Sequence, residues 1–264
     1  MMSPLSSATS GRAARYGSLA GKRVFVTGGG SGIGAAIVSA FAMQGASVAF
    51  VDIARAPSEA LRAQLVQEGY TAPVFRHCDI TDIAALQATM GELASMLGDF
   101  DVLVNNAAND ARHDISDVTV DYWNERIAIN QRPMFFTCQA ALAGMRRKKA
   151  GAIINLSSIS WHAKGAGYPV YATAKAAVIG LTRSLARDLG KDGIRVNTVT
   201  PGWVMTERQL QLWVDDNARA EIARAQCLPG ELLPHDIAAM VLFLAADDSA
   251  MVTGQEFIVD AGWV

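Results

Sequence analysis

The run Arg23-Val24-Phe25-Val26-Thr27-Gly28-Gly29-Gly30-Ser31-Gly32-Ile33-Gly34 passes from a short apolar stretch into a loop in which five of seven residues are glycine. The first five residues read as a strand, and a helical pattern, Ile33–Gln44, opens at once behind the loop. Glycine lets the backbone turn tightly and approach a phosphate closely, while a helix N-terminus supplies free N–H groups and a positive dipole. A glycine-rich turn without a ligand is the plainer reading, and the strand–loop–helix context argues against it. The next apolar run, Ser47–Asp52 (SVAFVD), ends in a carboxylate. An acid there accepts hydrogen bonds from adenosine ribose hydroxyls and repels a 2′-phosphate, and no Arg lies within the glycine loop to receive one. Asp52 could instead merely cap the following segment. Its place at the end of the second strand favours the ribose role, and with it NAD over NADP.

Working outward, the pattern repeats. Pro73–Cys78, Asp101–Asn105, Ala152–Ser157, Ile194–Thr200 and Glu256–Asp260 are further strand-like runs. Between them lie segments of helical periodicity such as Ile83–Leu97 and Ala172–Leu189. Several runs are apolar at nearly every position, which suits strands covered on both faces. Such alternation predicts an α/β fold: one Rossmann-type, doubly wound domain over 18–264, its parallel sheet of about seven strands flanked by helices on both faces. No Pro/Gly-rich linker or repeat divides it. Residues 1–17, rich in Ser, Ala and Arg, read as a flexible tail. The stretch 203–226 contains neither glycine nor proline after Gly202 and reads as a helical insertion able to cover a pocket.

Composition removes several classes of function. Hydrophobic residues make up 51% and charged residues 18% of the chain, so a large core is available. A net charge of -2 gives no basic surplus for nucleic acid, and the run Arg146–Lys149 reads as a solvated helix end. Cys78, Cys138 and Cys227 are scattered and odd in number, which suits a reducing compartment. The four histidines lack metal-ligand spacing, so no metal is expected. No apolar run is long enough to span a bilayer, and the N-terminus lacks the apolar core of a secretory signal. A cytoplasmic protein without membrane or nucleic-acid partners is the expectation.

From about Leu19 to Val264 the chain resembles the short-chain dehydrogenase/reductase family. The loop Thr27–Gly34 matches that family's TGxxxGxG, which implies cofactor contacts at Gly28, Gly30, Ser31, Gly32, Ile33 and Gly34. Asp52 and Ile53 follow on the second strand, and Asp79-Ile80 matches the pair that meets adenine. Asn105-Asn106-Ala107-Ala108 matches Asn-Asn-Ala-Gly, with Ala108 in place of glycine adding a methyl beside the cofactor path. Pro201, Gly202, Val204 and Thr206 match the segment at the nicotinamide half. Asn130, Ser158, Tyr171 and Lys175 match the catalytic set, with Tyr171–Lys175 as YxxxK.

Tyr171 and Lys175 are one helical turn apart, so they share a face. A free tyrosine has a pKa of about 10, and a neighbouring ammonium together with an oxidised nicotinamide favours its phenolate. Tyr171 then removes a hydroxyl proton while hydride leaves the same carbon, and it and Lys175 also touch the cofactor. Ser158 orients the substrate oxygen; Ser157 is the rival, and the family spacing favours Ser158. The resemblance implies a water relay at Asn130. An isolated YxxxK is often only helix surface, but here it joins a glycine loop and Asp52.

Ser158–His162, Asn109–His113 and Asp260–Trp263 further resemble the bacterial NAD-dependent aldose 1-dehydrogenases of that family, which oxidise a sugar's anomeric carbon to a lactone. Asn109, Ser158, Trp161, His162, Tyr168 and Trp203 are the substrate-side candidates, although a Trp is more often packed in a core than laid under a sugar. Other alcohols or carbonyls, such as polyols and 3-oxoacyl thioesters, form the alternative within enzymes. A non-catalytic NAD-binding module is the alternative outside them, and an intact Ser–Tyr–Lys set speaks against it. The resemblance also implies a homotetramer, with Asp121–Lys149 and Ala172–Leu189 as packing candidates.

Overall fold

The computed structural model describes residues 14–264. Seven strands form one parallel sheet: β1 (Arg23–Thr27), β2 (Ser47–Asp52), β3 (Val74–His77), β4 (Val102–Asn105), β5 (Gly151–Leu156), β6 (Ile194–Pro201) and β7 (Glu256–Val259). Their order is β3-β2-β1-β4-β5-β6-β7. Strand side chains alternate between two apolar layers, as a period of two requires. Val24 and Val26 of β1, with Val102 and Val104 of β4, face the layer that holds Ile37, Phe41, Ile237 and Val241. Phe25 and Leu103 face the layer of Leu86, Met90, Leu93 and Met145. Because both faces are covered, β1, β2 and β4 carry almost no polar side chains inside, and the expected doubly wound α/β architecture results.

The helices are α1 (Gly32–Met43), α2 (Arg55–Gln67), α3 (Ile83–Leu97), α4 (Val120–Asn130), α5 (Arg132–Lys148), α6 (Pro169–Leu189), α7 (Glu207–Leu212), α8 (Asp216–Ala225) and α9 (Pro234–Ala245). The helical stretch read over Asp121–Lys149 is two helices. Gln131 leaves helical geometry (φ −133°), and Pro133, which has no N–H to give, sits in the first turn of α5. The insertion at 203–226 is likewise divided: Thr206 caps α7 and Asp215 caps α8, with Trp213 non-helical between them. The tail read over 1–17 lies mostly outside the described residues. Its last part is tied down, since Gln44 Nε2 donates to the Ala14 carbonyl and Tyr16 N–H donates to Gln44 Oε1, both at 2.9 Å. Among the described residues no helix is long and apolar enough to cross a membrane.

A chain of buried polar groups runs beneath the sheet's centre. Asn105 of β4 donates to Asn155 of β5 (2.9 Å), and Asn155 donates to Thr182 of α6 (3.0 Å). Thr198 of β6 adds its hydroxyl to Thr182 (2.8 Å), while Thr137 of α5 donates to Asn105 (2.6 Å). These bonds pin α5 and α6 to three adjacent strands. Thr182→Val strips one hydroxyl from two buried partners, and the stability lost should be about 1–3 kcal/mol. Denaturant unfolding should show a lower midpoint with an unchanged slope; an unmoved midpoint would show the network to be idle.

Candidate active site

Parallel strands that diverge leave a crevice beyond their carboxyl ends, and here it opens between β1 and β4. A cleft of about 590 Å³ runs from the glycine loop across to Tyr171 and the segment after β6. Gly28 adopts φ +67°, and a Cβ on it would lie 2.8 Å from Ala107 Cα. A Cβ on Gly34 would overlap the Gly28 carbonyl oxygen, so α1 begins directly against the loop only because residue 34 has no side chain. Asn106 closes the loop from behind, donating to the carbonyls of Thr27 (3.0 Å) and Gly28 (2.9 Å). The Thr27 hydroxyl accepts from the N–H groups of Asn106 and Ala107 in return.

Gly28, Ser31, Ile33 and Gly34 line the cleft, whereas Gly30 and Gly32 support it. Gly30 N–H donates to Asp52 at 2.8 Å, as does Ala54 N–H, so the carboxylate is oriented beside the loop. Gly32 lies against Thr206 at the start of α7, bringing the far side of the cleft into contact with the loop. Asp52, Ile53, Asp79, Ile80, Asn106, Ala107 and Ala108 line the wall beyond. Ala108 needs no left-handed backbone, so its extra methyl is accommodated without strain. Pro201, Gly202, Val204 and Thr206 line the opposite end. A helix N-terminus, a carboxylate at the end of β2 and a side-chain-free cradle would fit a dinucleotide: anionic at its centre, hydroxylated at one end.

Ser158, Tyr171 and Lys175 meet at that opposite end. Ser158 follows β5 and caps a short turn, its hydroxyl accepting from Ser160 N–H at 3.1 Å. Ser157, the rival, is buried and donates to the Lys175 carbonyl at 2.8 Å, so it ties β5 to α6. Burial drives the Tyr171 phenol well above its ordinary pKa, the nearby Asp110 carboxylate adds to this, and contact with Ser158 opposes it. Lys175 is fully buried, and burial pushes its pKa down to about 7, with Asp110 pulling the other way. Its Nζ donates to the Leu156 carbonyl at 2.8 Å and stands 5.7 Å from the Tyr171 ring centre.

Asn130 ends α4 and is completely buried. Both amide hydrogens are spent on carbonyls, of Asn109 and Arg126 at 3.0 Å, and its oxygen accepts from Asn109 N–H at 2.8 Å. Its side chain therefore sets the loop after β4 and does not line the cleft. Among the substrate candidates, Asn109, Ser158, Tyr168 and Trp203 do line it. Trp161 and His162 do not. Their rings stack on each other at 3.5 Å between centroids, and His162 Nε2 is held 3.0 Å from Glu256 at the start of β7. The half-turn after Ser158 rotates both away, which no local pattern reveals.

The sequence reading missed Asp110, Arg112, Arg208, Gln209, Glu221 and Trp263, all on the cleft wall. The Asn109–His113 run was noticed as a string, but what it faces depends on the packing of α7. Among the described residues no three His, Cys, Asp or Glu side chains gather as a metal cluster.

A family model described as enoyl-(acyl carrier protein) reductase, within the short-chain dehydrogenases/reductases, matches residues 28–264. The chain belongs to the short-chain dehydrogenase/reductase family. This short-chain dehydrogenase/reductase is 50% identical over 248 residues to a D-xylose 1-dehydrogenase of Caulobacter vibrioides, covering 94% of this chain and 98% of that one. It is 46% identical to a probable galactose dehydrogenase of Rhizobium meliloti, covering 94% and 97%. Among solved structures, a 3-oxoacyl-[acyl-carrier protein] reductase from Brucella melitensis superposes with a TM-score of 0.86 at 30% identity, covering 94% of both chains. The chain is thus an oxidoreductase of the type that works with a nicotinamide cofactor. Gly34→Ala should weaken dinucleotide binding by more than about tenfold, since the loop must move to admit the methyl. Fluorescence titration measures this, and undiminished affinity would show that the loop is not the cradle.

Proposed function

We propose that the enzyme oxidises a free aldose at its anomeric hydroxyl, giving the lactone, with NAD as hydride acceptor. The observation that carries the substrate class is the 50% identity, across nearly the whole chain, to a D-xylose 1-dehydrogenase. The lining of the cleft supports it, because Asn109, Asp110, Arg112 and Gln209 border it together with Trp203 and Tyr171. The bound dinucleotide supplies the carbon that takes the hydride. Tyr171 removes the proton of the sugar's C1 hydroxyl, and the Ser158 hydroxyl orients the same oxygen. Burial alone disfavours the phenolate, so Tyr171 depends on the positive charge of Lys175, held beside it by the Leu156 carbonyl. With a pKa pulled to about 7, Lys175 readily gives and regains a proton near neutrality. A relay at Asn130 has to run over the main-chain carbonyl at the end of α4, since the side-chain amide is already committed.

Asp52 supports NAD over NADP: its carboxylate lines the cleft beside the glycine loop, and a negative charge there would repel a 2′-phosphate. Arg55 is exposed on α2 and does not line the cleft. A 3-oxoacyl thioester as substrate has weaker support, the corresponding structure being 30% identical. A homotetramer is proposed from the family resemblance, and Val120, Trp123 and Phe135, exposed on α4 and α5, suit it; a monomeric mass in solution would overturn this. Three free cysteines suit the cytoplasm.

Purified enzyme should reduce NAD faster than NADP with one or a few aldoses in a panel that includes polyols and hydroxyacyl thioesters. Activity confined to the other alcohols would remove the sugar assignment. Tyr171→Phe should keep NAD binding and lose turnover by about a hundred- to ten-thousand-fold. Asp52→Ala should relax the preference for NAD, and a wild type that prefers NADP would refute the ribose role.

A further inference from the structure

Asp110 stands on the loop after β4, one residue beyond the backbone that buried Asn130 grips at both N–H and carbonyl. It is therefore presented from a rigid support. Its side chain lines the cleft and is partly open to it, at 28% of full exposure. From across the cleft α7 supplies two partners: Gln209 Nε2 donates to Oδ2 at 2.5 Å, and Arg208 Nε stands 3.3 Å from Oδ1. Gln209 in turn accepts from the Trp203 indole N–H at 3.0 Å, which fixes that ring in the cleft wall. A carboxylate offers about four acceptor sites, and these two contacts leave acceptor capacity on both oxygens.

The same carboxylate lies near the reacting groups. Asp110 lines the same cleft as Ser158, Tyr168, Tyr171 and Lys175, and its charge raises the pKa of Tyr171, Lys175 and Tyr168 alike. For oxidation this is unhelpful electrostatics, because an anion beside Tyr171 opposes the phenolate. A role in binding gives the charge a purpose that proton transfer does not. A carboxylate pre-oriented by an amide, beside a fixed aromatic ring, is suited to a ligand with several hydroxyls and an apolar ring face.

Resting on the functional reading above, we infer that Asp110 is the specificity-determining residue of this enzyme: its carboxylate accepts hydrogen bonds from ring hydroxyls of the sugar distant from C1. Gln209 and Arg208 hold it in place and join that recognition to the seating of α7. A substrate with a single hydroxyl gains nothing from Asp110; a polyhydroxylated one does.

The test compares wild type with Asp110→Asn on the best aldose, on its monodeoxy analogues and on NAD, each variant at its own pH optimum because Asp110 also acts on Tyr171. Asp110→Asn keeps an acceptor for Gln209 and removes the charge. We expect the KM for the aldose to rise tenfold or more, with kcat within a few-fold and NAD affinity unchanged. In wild type one monodeoxy analogue should lose tenfold or more in kcat/KM, and in Asp110→Asn that difference should collapse. Wild-type turnover of aldoses with an unchanged KM in the variant, or with every analogue losing equally in both, overturns the inference alone. A wild type inactive on every aldose overturns the functional reading and this inference with it.

Discussion

The Gly28 carbonyl oxygen lies so close beneath residue 34 that only a hydrogen fits between them. That approach lets α1 begin tight against the glycine loop that follows β1, so its first turn borders the cleft. Asn106 and Thr27 then stitch the ends of β1 and β4 together across the same gap. The crevice is therefore both open, because the sheet reverses its winding there, and rigid, because its two lips are bonded to each other. Asp52 extends the arrangement by accepting from Gly30 N–H, which ties the carboxylate at the end of β2 to the glycine loop.

At the other end of the cleft, burial works against the charged forms of both Tyr171 and Lys175. It raises Tyr171 and lowers Lys175, so neither ion is favoured by its surroundings alone. Lys175 remains usable because one carbonyl, that of Leu156 at the end of β5, receives its ammonium. The polar chain through Asn105, Asn155 and Thr182 holds β5 and α6 in the register that this bond requires. An interior amide network thus serves the site without touching it.

Much of this was legible beforehand, and the reasons are local. Strand and helix periods, the glycine spacing and the turn between Tyr171 and Lys175 involve residues close together in the chain. Boundaries moved only slightly: β3 is shorter at both ends than its apolar run, and α6 starts at Pro169 instead of Ala172. Two departures from the reading have different causes, a local proline in one place and a long-range contact in the other. Helical periodicity carried straight through Gln131, but Pro133 and the turn of backbone before it divide the segment into α4 and α5. Trp161 and His162 come three and four residues after Ser158, yet they stack on each other and His162 pairs with Glu256 of β7.

By itself the sequence determined the doubly wound α/β sheet, the glycine turn after β1 and the one-turn spacing of Tyr171 and Lys175, because each is encoded by short-range spacing. Only the tertiary structure decided which side chains form the substrate wall. Asp110, Arg112, Gln209 and Glu221 come from a loop and two short helices far apart in the chain, and they face one another because α7 and α8 lie across the cleft. Those contacts arise from the packing of distant segments, and no period or motif in either segment records what the other will bring.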